Sequence, residues 1–308
     1  MTLAEASPLT VVAPLCGRAA CFSLPAVRAL TKICAVTVLH PESQAFLWSK
    51  VPGIQCRAYA DAISKKQAIA LFGAVTSALF WEGGMLADAA AKAGVADRVG
   101  LPSTDLAKRL TRPLERKVRP GPVEHEVRRY LDTVQVLGAE PLDRQFFEPL
   151  DAGEEKVDEI LLAPASSFGS PFEWPLEQWT RLVEGLKTLP ISLRVLVARD
   201  ELATWADGHQ LPTVSGAEIG NTLRRTARMI SADSPAPHFA AAFGAVCAVL
   251  YGPGDPSLHR PLGKQHRVIR HKAECAPCFS SKCALDLRCQ RDLTLEEVVQ
   301  GLDAFTAP

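Results

Sequence analysis

Two groups of residues in this sequence have types and spacings that can do chemistry. The first is Asp233-Ser234 with His238 one helical turn later, joined by Ser166-Ser167 and Glu201 earlier in the chain. The apolar stretch from Arg228 to Ser231 reads as a strand that runs into Asp233-Ser234, and a helix is predicted from about Pro237. A strand-to-helix turn presents backbone N–H groups and the positive end of a helix dipole, which favour a phosphate or diphosphate. Hydroxyls of Ser166, Ser167 and Ser234 add donors, and His238 can donate to a diphosphate oxygen or to an attached sugar. Glu201 follows a predicted strand, Leu193 to Val197, at the end where doubly wound sheets take ligands, and a carboxylate there can accept both ribose hydroxyls. A nucleoside diphosphate carrying a sugar suits this set. The plainer alternatives are helix capping by Asp233 and Ser234 and a solvated helix-start acid at Glu201.

The second group is Cys275-x-x-Cys278 followed by Cys283 and Cys289. The two-residue gap suits one ligand pair of a tetrahedral thiolate site, while the gap between Cys283 and Cys289 is longer than zinc sites usually show. A structural zinc is one expectation, and free thiols or a disulfide the other. Four thiolates would leave no open position, so a catalytic metal is not expected there. The remaining cysteines, Cys16, Cys21, Cys34, Cys56 and Cys247, lie among apolar or small residues and read as buried thiols.

Short apolar runs alternating with segments of helical period must position these groups, and that alternation is the mark of parallel βαβ units. The fold class is α/β. In the first half the pattern predicts strands Leu9 to Ala13, Val36 to Leu39 and Ala68 to Phe72. It predicts helices Pro25 to Ile33, Ser77 to Ala93 ending at Gly94, and one from Val123 ending at Gly138. The second half restarts with strand Ile160 to Ala163, helix Pro175 to Leu186, helix Ile219 to Ala227 and strand Val246 to Tyr251. It closes with a helix from Thr294, whose Glu297 stands at capping-box spacing. Pro141, Pro149, Gly153 and the acids Glu154, Glu155 and Asp158 have linker composition, placing a domain boundary near Glu155 and domains at 1–155 and 156–308.

The chain has 308 residues with Lys+Arg and Asp+Glu both at 34, and 47% of it is hydrophobic. That length suits two domains, and the composition excludes disordered and collagen-like classes. Balanced charge argues against a general nucleic-acid binder. No run approaches the roughly 20 apolar residues that cross a bilayer, and Met1 to Ala13 lacks a basic leader, so a cytoplasmic protein is expected. One basic stretch stands out: Lys108, Arg109, Arg112, Arg116, Lys117 and Arg119. It reads either as a contact for an anionic glycolipid or membrane surface or as a solvated loop.

Several segments in order resemble glycosyltransferase family 9, the ADP-heptose:lipopolysaccharide heptosyltransferases. They are Leu24-Pro25-Ala26-Val27-Arg28-Ala29-Leu30, Ala93 to Gly100, and His125 to Leu131 in the first half. In the second half they are Ile160 to Ser167 with Trp174 to Trp179, Asp233-Ser234 with His238 to Gly244, Leu250 to Pro256, and the cysteine-bearing tail through Thr294. The resemblance implies two Rossmann-like domains facing a cleft (GT-B type), an acceptor-side first domain and a donor-binding second domain. It further implies inverting transfer of heptose from a nucleotide sugar, ADP-heptose, to a lipopolysaccharide core acceptor at the inner face of the inner membrane, with no cofactor required. Ser166, Ser167, Glu201, Asp233, Ser234 and His238 would hold the donor.

Three positions depart from the family's pattern. Ala19 stands where the family carries its catalytic Asp, so no residue is assigned as base. Phe172 stands where it carries a Lys at the donor diphosphate, and Arg199 is a candidate replacement that the sequence does not place. Pro235 stands where it carries a Gly. Losing a general base costs about 10²–10⁴ in rate, and losing a cation removes stabilisation of the leaving group. A second reading therefore stands beside the transferase: a family member that has lost catalysis and serves as a nucleotide- or glycan-binding scaffold. A third is a metal-binding module built on the cysteine tail.

Overall fold

The central strands form where apolar residues run too briefly for a helix and are covered on both faces, while the outermost strands are more exposed. The computed structural model describes residues 8–116 and 121–302. In the first half these are β1 (Leu9–Val12), β2 (Val36–Pro41), β3 (Ile54–Tyr59), β4 (Ser77–Phe80), β5 (Asp97–Gly100) and β6 (Arg112–Pro113). In the second they are β7 (Val157–Ala163), β8 (Ser192–Leu196), β9 (Thr213–Val214), β10 (Thr226–Ala232), β11 (Val246–Tyr251) and β12 (Arg267–Arg270). They make two six-stranded sheets, ordered β3-β2-β1-β4-β5-β6 and β12-β11-β10-β7-β8-β9. Every pairing is parallel, with β1 in register with β2 from Leu9↔Val36 and β10 with β11 from Arg228↔Val246. Both sheets are doubly wound in the same order. In each, the winding reverses beside the first strand, between β1 and β4 and between β7 and β10.

Parallel sheets need helices on both faces, and the helices here carry the stripes to supply them. Helix Leu176–Leu186 buries Trp179, Leu182, Val183 and Leu186, an i, i+3, i+4, i+7 stripe, into a core shared with Ile160, Val195 and Ile230. Helix Val127–Val136 buries Val127, Tyr130, Leu131 and Val134 at the same spacing and packs on helix Gly17–Leu30. The last helix, Leu295–Leu302, opens with a reciprocal cap: Thr294 N–H donates to Glu297 Oε2 at 2.8 Å, and Glu297 N–H to Thr294 Oγ1 at 3.2 Å.

Three expectations from the sequence are corrected in the first half. The run Ala68 to Phe72 lies in helix Lys65–Ala70 and its exit, because Ser64 and Gln67 form a capping box that an apolar count overlooks. The segment Ser77 to Ala93 is split into β4, whose four residues are all buried, and helix Met85–Lys92, separated by Gly83-Gly84 with Gly84 at φ +106°. The helix predicted from Pro25 begins at Gly17 and runs through that proline. Among the cysteines, Cys21 and Cys247 are buried, but Cys56 is exposed because β3 is an edge strand.

The chain divides into two compact units between Phe147 and Glu148. Residues 148–155, read above as linker, pack on the second unit. Leu150 N–H donates to Ala242 O at 2.8 Å, Arg224 pairs with Asp151 at 2.9 Å and with Glu154, and Lys156 Nζ donates to Phe243 O at 2.6 Å. Of the acids that looked like linker composition, Glu154 is spent on Arg224 and Asp158 on Arg228, and the division lies ahead of Glu155.

Candidate functional site

In the second unit the loops after β7, β8 and β10 meet at the carboxyl edge of the sheet. Ser166, three residues past β7, donates its hydroxyl to Asp233 O at 2.6 Å, which ties the two loops across the reversal point. Its N–H donates to Glu173 Oε1 at 2.8 Å. Glu173 takes a two-pronged bond from Arg199, with Nη1 and Nη2 each 2.8 Å from a carboxylate oxygen, and Arg199 Nε also reaches Glu201 Oε2 at 3.1 Å. A planar guanidinium matched to a carboxylate in this way is held in geometry as well as in energy. Ser166, Asp233 and Glu201, distant in sequence, thus join one hydrogen-bonded chain. Pro164, Glu173, Trp174, Arg199, Glu201 and Gln290 line a cavity of about 280 Å³ beside it.

The predicted donor residues differ in exposure. Glu201 lies in the first turn of helix Asp200–Gly208 with its side chain 65% exposed, and Ser167 is also exposed. Asp233, Ser234 and His238 are buried, at 0%, 3% and 2%. Asp233 packs under the loop after β11, where a Cβ on Gly254 would lie 2.1 Å from its Oδ2. Helix Ala236–Ala242 has Pro235 at its N-cap and no side-chain cap. Asp233 and Ser234 therefore do not cap it, and a ligand meets this turn through backbone before side chain.

Phe172 is 5% exposed and meets the Phe168 ring edge-on at 5.6 Å, filling an aromatic pocket rather than facing a ligand. Arg199 is the cation nearest in the network, with Glu173 and Glu201 as its partners. Sequence reasoning missed Glu173, whose position beside Trp174 carried no signal, and Gln290. The Gln290 carboxamide is buried against Gly252, which only a residue without Cβ allows.

The four cysteines of the tail are free thiols. The Cys289 thiol is pushed up to about 11 by burial and then by the nearby Cys275, Cys278 and Cys283, which places the four in one neighbourhood. Yet among the described residues no group of three or more His, Cys, Asp or Glu side chains is arranged to hold a metal ion. Cys278 and Cys283 are exposed, Cys275 is half-buried and Cys289 is buried.

In the first unit the corresponding edge is built around the loop between β1 and helix Gly17–Leu30. Buried Gln44 holds that loop from one side, donating Nε2 to Pro14 O at 2.9 Å and Leu15 O at 3.0 Å while its Oε1 accepts Trp48 Nε1 at 2.9 Å. Glu82 holds it from the other, its Oε1 accepting Leu15 N–H at 3.0 Å. Arg129 donates to Trp81 O and steadies the segment that carries Glu82. Ala19 lies in the first turn of the helix and offers no carboxylate. Three of the four described cations of the basic stretch are paired: Arg109 with Asp88, Arg112 with Asp97 at 2.6 Å, and Arg116 with Asp132 at 2.7 Å. Lys117 and Arg119 lie outside the described residues. Those ion pairs favour the solvated-loop reading for the arginines.

Comparison with known proteins identifies the chain's kin. The profile of glycosyltransferase family 9 (heptosyltransferase) matches residues 133–288, just over half of the chain. Among solved structures, E. coli ADP-heptose LPS heptosyltransferase II is 18% identical over 97% of this chain and 98% of its own, with a TM-score of 0.75. E. coli heptosyltransferase WaaC with ADP is 17% identical over 98% of this chain and 100% of its own, at 0.72. A glycosyl transferase family 9 structure from Veillonella parvula is 13% identical over 97% of each chain, at 0.75. No curated protein matches the sequence. At these identities the structural likeness establishes the fold, two Rossmann-like doubly wound sheets, and the profile match establishes descent: the chain belongs to glycosyltransferase family 9, the heptosyltransferase family.

Proposed function

We propose that this family 9 glycosyltransferase takes heptose from ADP-heptose and transfers it to a hydroxyl of an anionic glycolipid, the lipid A and inner-core portion of lipopolysaccharide. The observation that carries the reading is the network at the edge of the second unit, where Glu173, Arg199 and Glu201 line the cavity and Ser166 is tied to Glu173 by its N–H. Glu201, exposed and oriented by Arg199, accepts the ribose hydroxyls. The turn after β10 and the Ser166 and Ser167 loop face the diphosphate. Arg199 is the cation closest at hand to replace the missing Lys at Phe172. Solved relatives bound to ADP and to ADP-2-deoxy-2-fluoro heptose support this choice of donor. Transfer needs no cofactor in this reading.

The acceptor is membrane-borne, which puts the protein at the inner face of the inner membrane as a peripheral enzyme. Among the described residues no helix is long and apolar enough to cross a membrane. Incubation with ADP-heptose and a Kdo-lipid A acceptor, following ADP release and measuring donor affinity by calorimetry, tests the reading. Turnover with donor binding is expected. Donor binding without ADP release would instead favour a scaffold that has lost catalysis, and absence of any nucleotide-sugar binding would overturn both.

A further inference from the structure

The first unit lacks a carboxylate in the helix turn that carries Ala19, yet it brings one to the same loop from a neighbouring strand. β4 lies beside β1 at the reversal of the sheet order and ends at Phe80. Two residues on, exposed Glu82 turns back to accept Leu15 N–H at 3.0 Å, in the loop that leads into the helix of Ala19. The crevice outside the carboxyl ends of two strands at such a reversal is where open α/β sheets bind ligands.

Glu82 differs from the other paired acids of the first unit. Asp88, Asp97 and Asp132 are engaged by Arg109, Arg112 and Arg116. Asp61, beside the edge strand, accepts both the hydroxyl and the N–H of Ser43, at 2.6 and 3.3 Å. Glu82 takes one backbone hydrogen bond on Oε1, and among the described residues Oε2 takes neither a hydrogen bond nor an ion pair. One oxygen is therefore fixed by the loop and the other is open to solvent and to a ligand. Burial, Asp61 and Glu82 together push the Tyr59 phenol up to about 12, so the Glu82 charge is felt along this edge.

We propose that Glu82 is the general base of the transfer, a catalytic residue in place of the Asp that Ala19 cannot provide; the assignment rests on the transferase reading given above. The acceptor hydroxyl gives its proton to Glu82 Oε2 while its oxygen forms a bond to the anomeric carbon of the donor. The bond from that carbon to the diphosphate oxygen breaks, and its electron pair leaves with ADP. The bond from Leu15 N–H orients the carboxylate without neutralising it. A base within hydrogen-bonding reach of the attacking hydroxyl is worth about 10²–10⁴ in rate.

Glu82→Gln separates base from prop, because the amide oxygen can still accept Leu15 N–H while the basic carboxylate is gone. Steady-state kcat for ADP release should fall by about 10²–10⁴, with the calorimetric Kd for ADP and the thermal midpoint unchanged. A base also predicts that added formate restores part of the kcat of Glu82→Ala, which a purely structural role would not. If Glu82→Gln turns over within about threefold of wild type, or formate restores nothing, the base assignment falls while the transferase reading stands. If wild-type protein itself releases no ADP with donor and acceptor present, the transferase reading falls and takes the base with it.

Discussion

The two units share one winding order and use its reversal point in opposite ways. In both, the loop after the first strand is tied to the segment after the fourth. In the second unit the tie is the Ser166 hydroxyl on the Asp233 carbonyl, with the Asp233 side chain buried. In the first it is the Leu15 N–H on the Glu82 carboxylate, with that side chain exposed. One acid lies buried beneath a loop; the other is exposed with an oxygen to spare. Topology thus fixes where a ligand edge lies, while the side chain just past the fourth strand decides what that edge can do.

The sharpest way to break this contrast is Gly254→Ala. Its Cβ would lie 2.1 Å from Asp233 Oδ2, and a buried carboxylate under a loop has no room to yield. A loss of about 3 kcal/mol in stability, read from the urea midpoint, is expected. A loss near zero would mean that the Asp233 side chain is loosely held beneath the loop. Next in size is Gln44→Leu, which strands the Pro14 and Leu15 carbonyls and the Trp48 indole N–H. About 2 kcal/mol should be lost, and a neutral result would show that Glu82 alone holds the first loop.

Acidification should weaken both units in the same direction. Burial holds the imidazoles of His40 and His266 below 6.5. In the unfolded chain each takes its proton first as pH falls through 6.5, so stability is full above that value and is lost below it. Replacing His266 with Gln should flatten the dependence of the urea midpoint between pH 7 and pH 5, in titrations of the two proteins side by side. Identical slopes would remove His266 from the account. The smallest effect belongs to Glu82→Gln, whose stability should stay within about 0.5 kcal/mol of wild type. A larger loss would make Glu82 a structural side chain like Asp233 and erase the contrast.

How much of this was legible in the sequence differs between the units for a physical reason. In the second unit the strands are longer and the helices carry clear stripes, so β11 and helix Leu176–Leu186 fall where periodicity places them. In the first unit β4 has four residues, all buried, and merges by hydropathy with the alanine-rich helix after it. That merger hid Glu82, since an acid inside a supposed helix carries no site signal. The capping box of Ser64 and Gln67 was readable and would have corrected the neighbouring element. Burial of Asp233 and His238 was not readable, because residue type does not tell a ligand-facing polar group from one enclosed by a loop.

The positions of Phe172 and Ala19 carry a different lesson about reversibility. Phe172 is enclosed with Phe168, so restoring a Lys there would put an ammonium into an aromatic pocket, and desolvation would oppose it. Ala19 sits half-buried in the first turn of its helix, where an acid gains from the helix dipole. A carboxylate at Ala19 is therefore open to a single substitution. An ammonium at Phe172 is barred until the aromatic neighbours change, so the two positions admit charge on different terms.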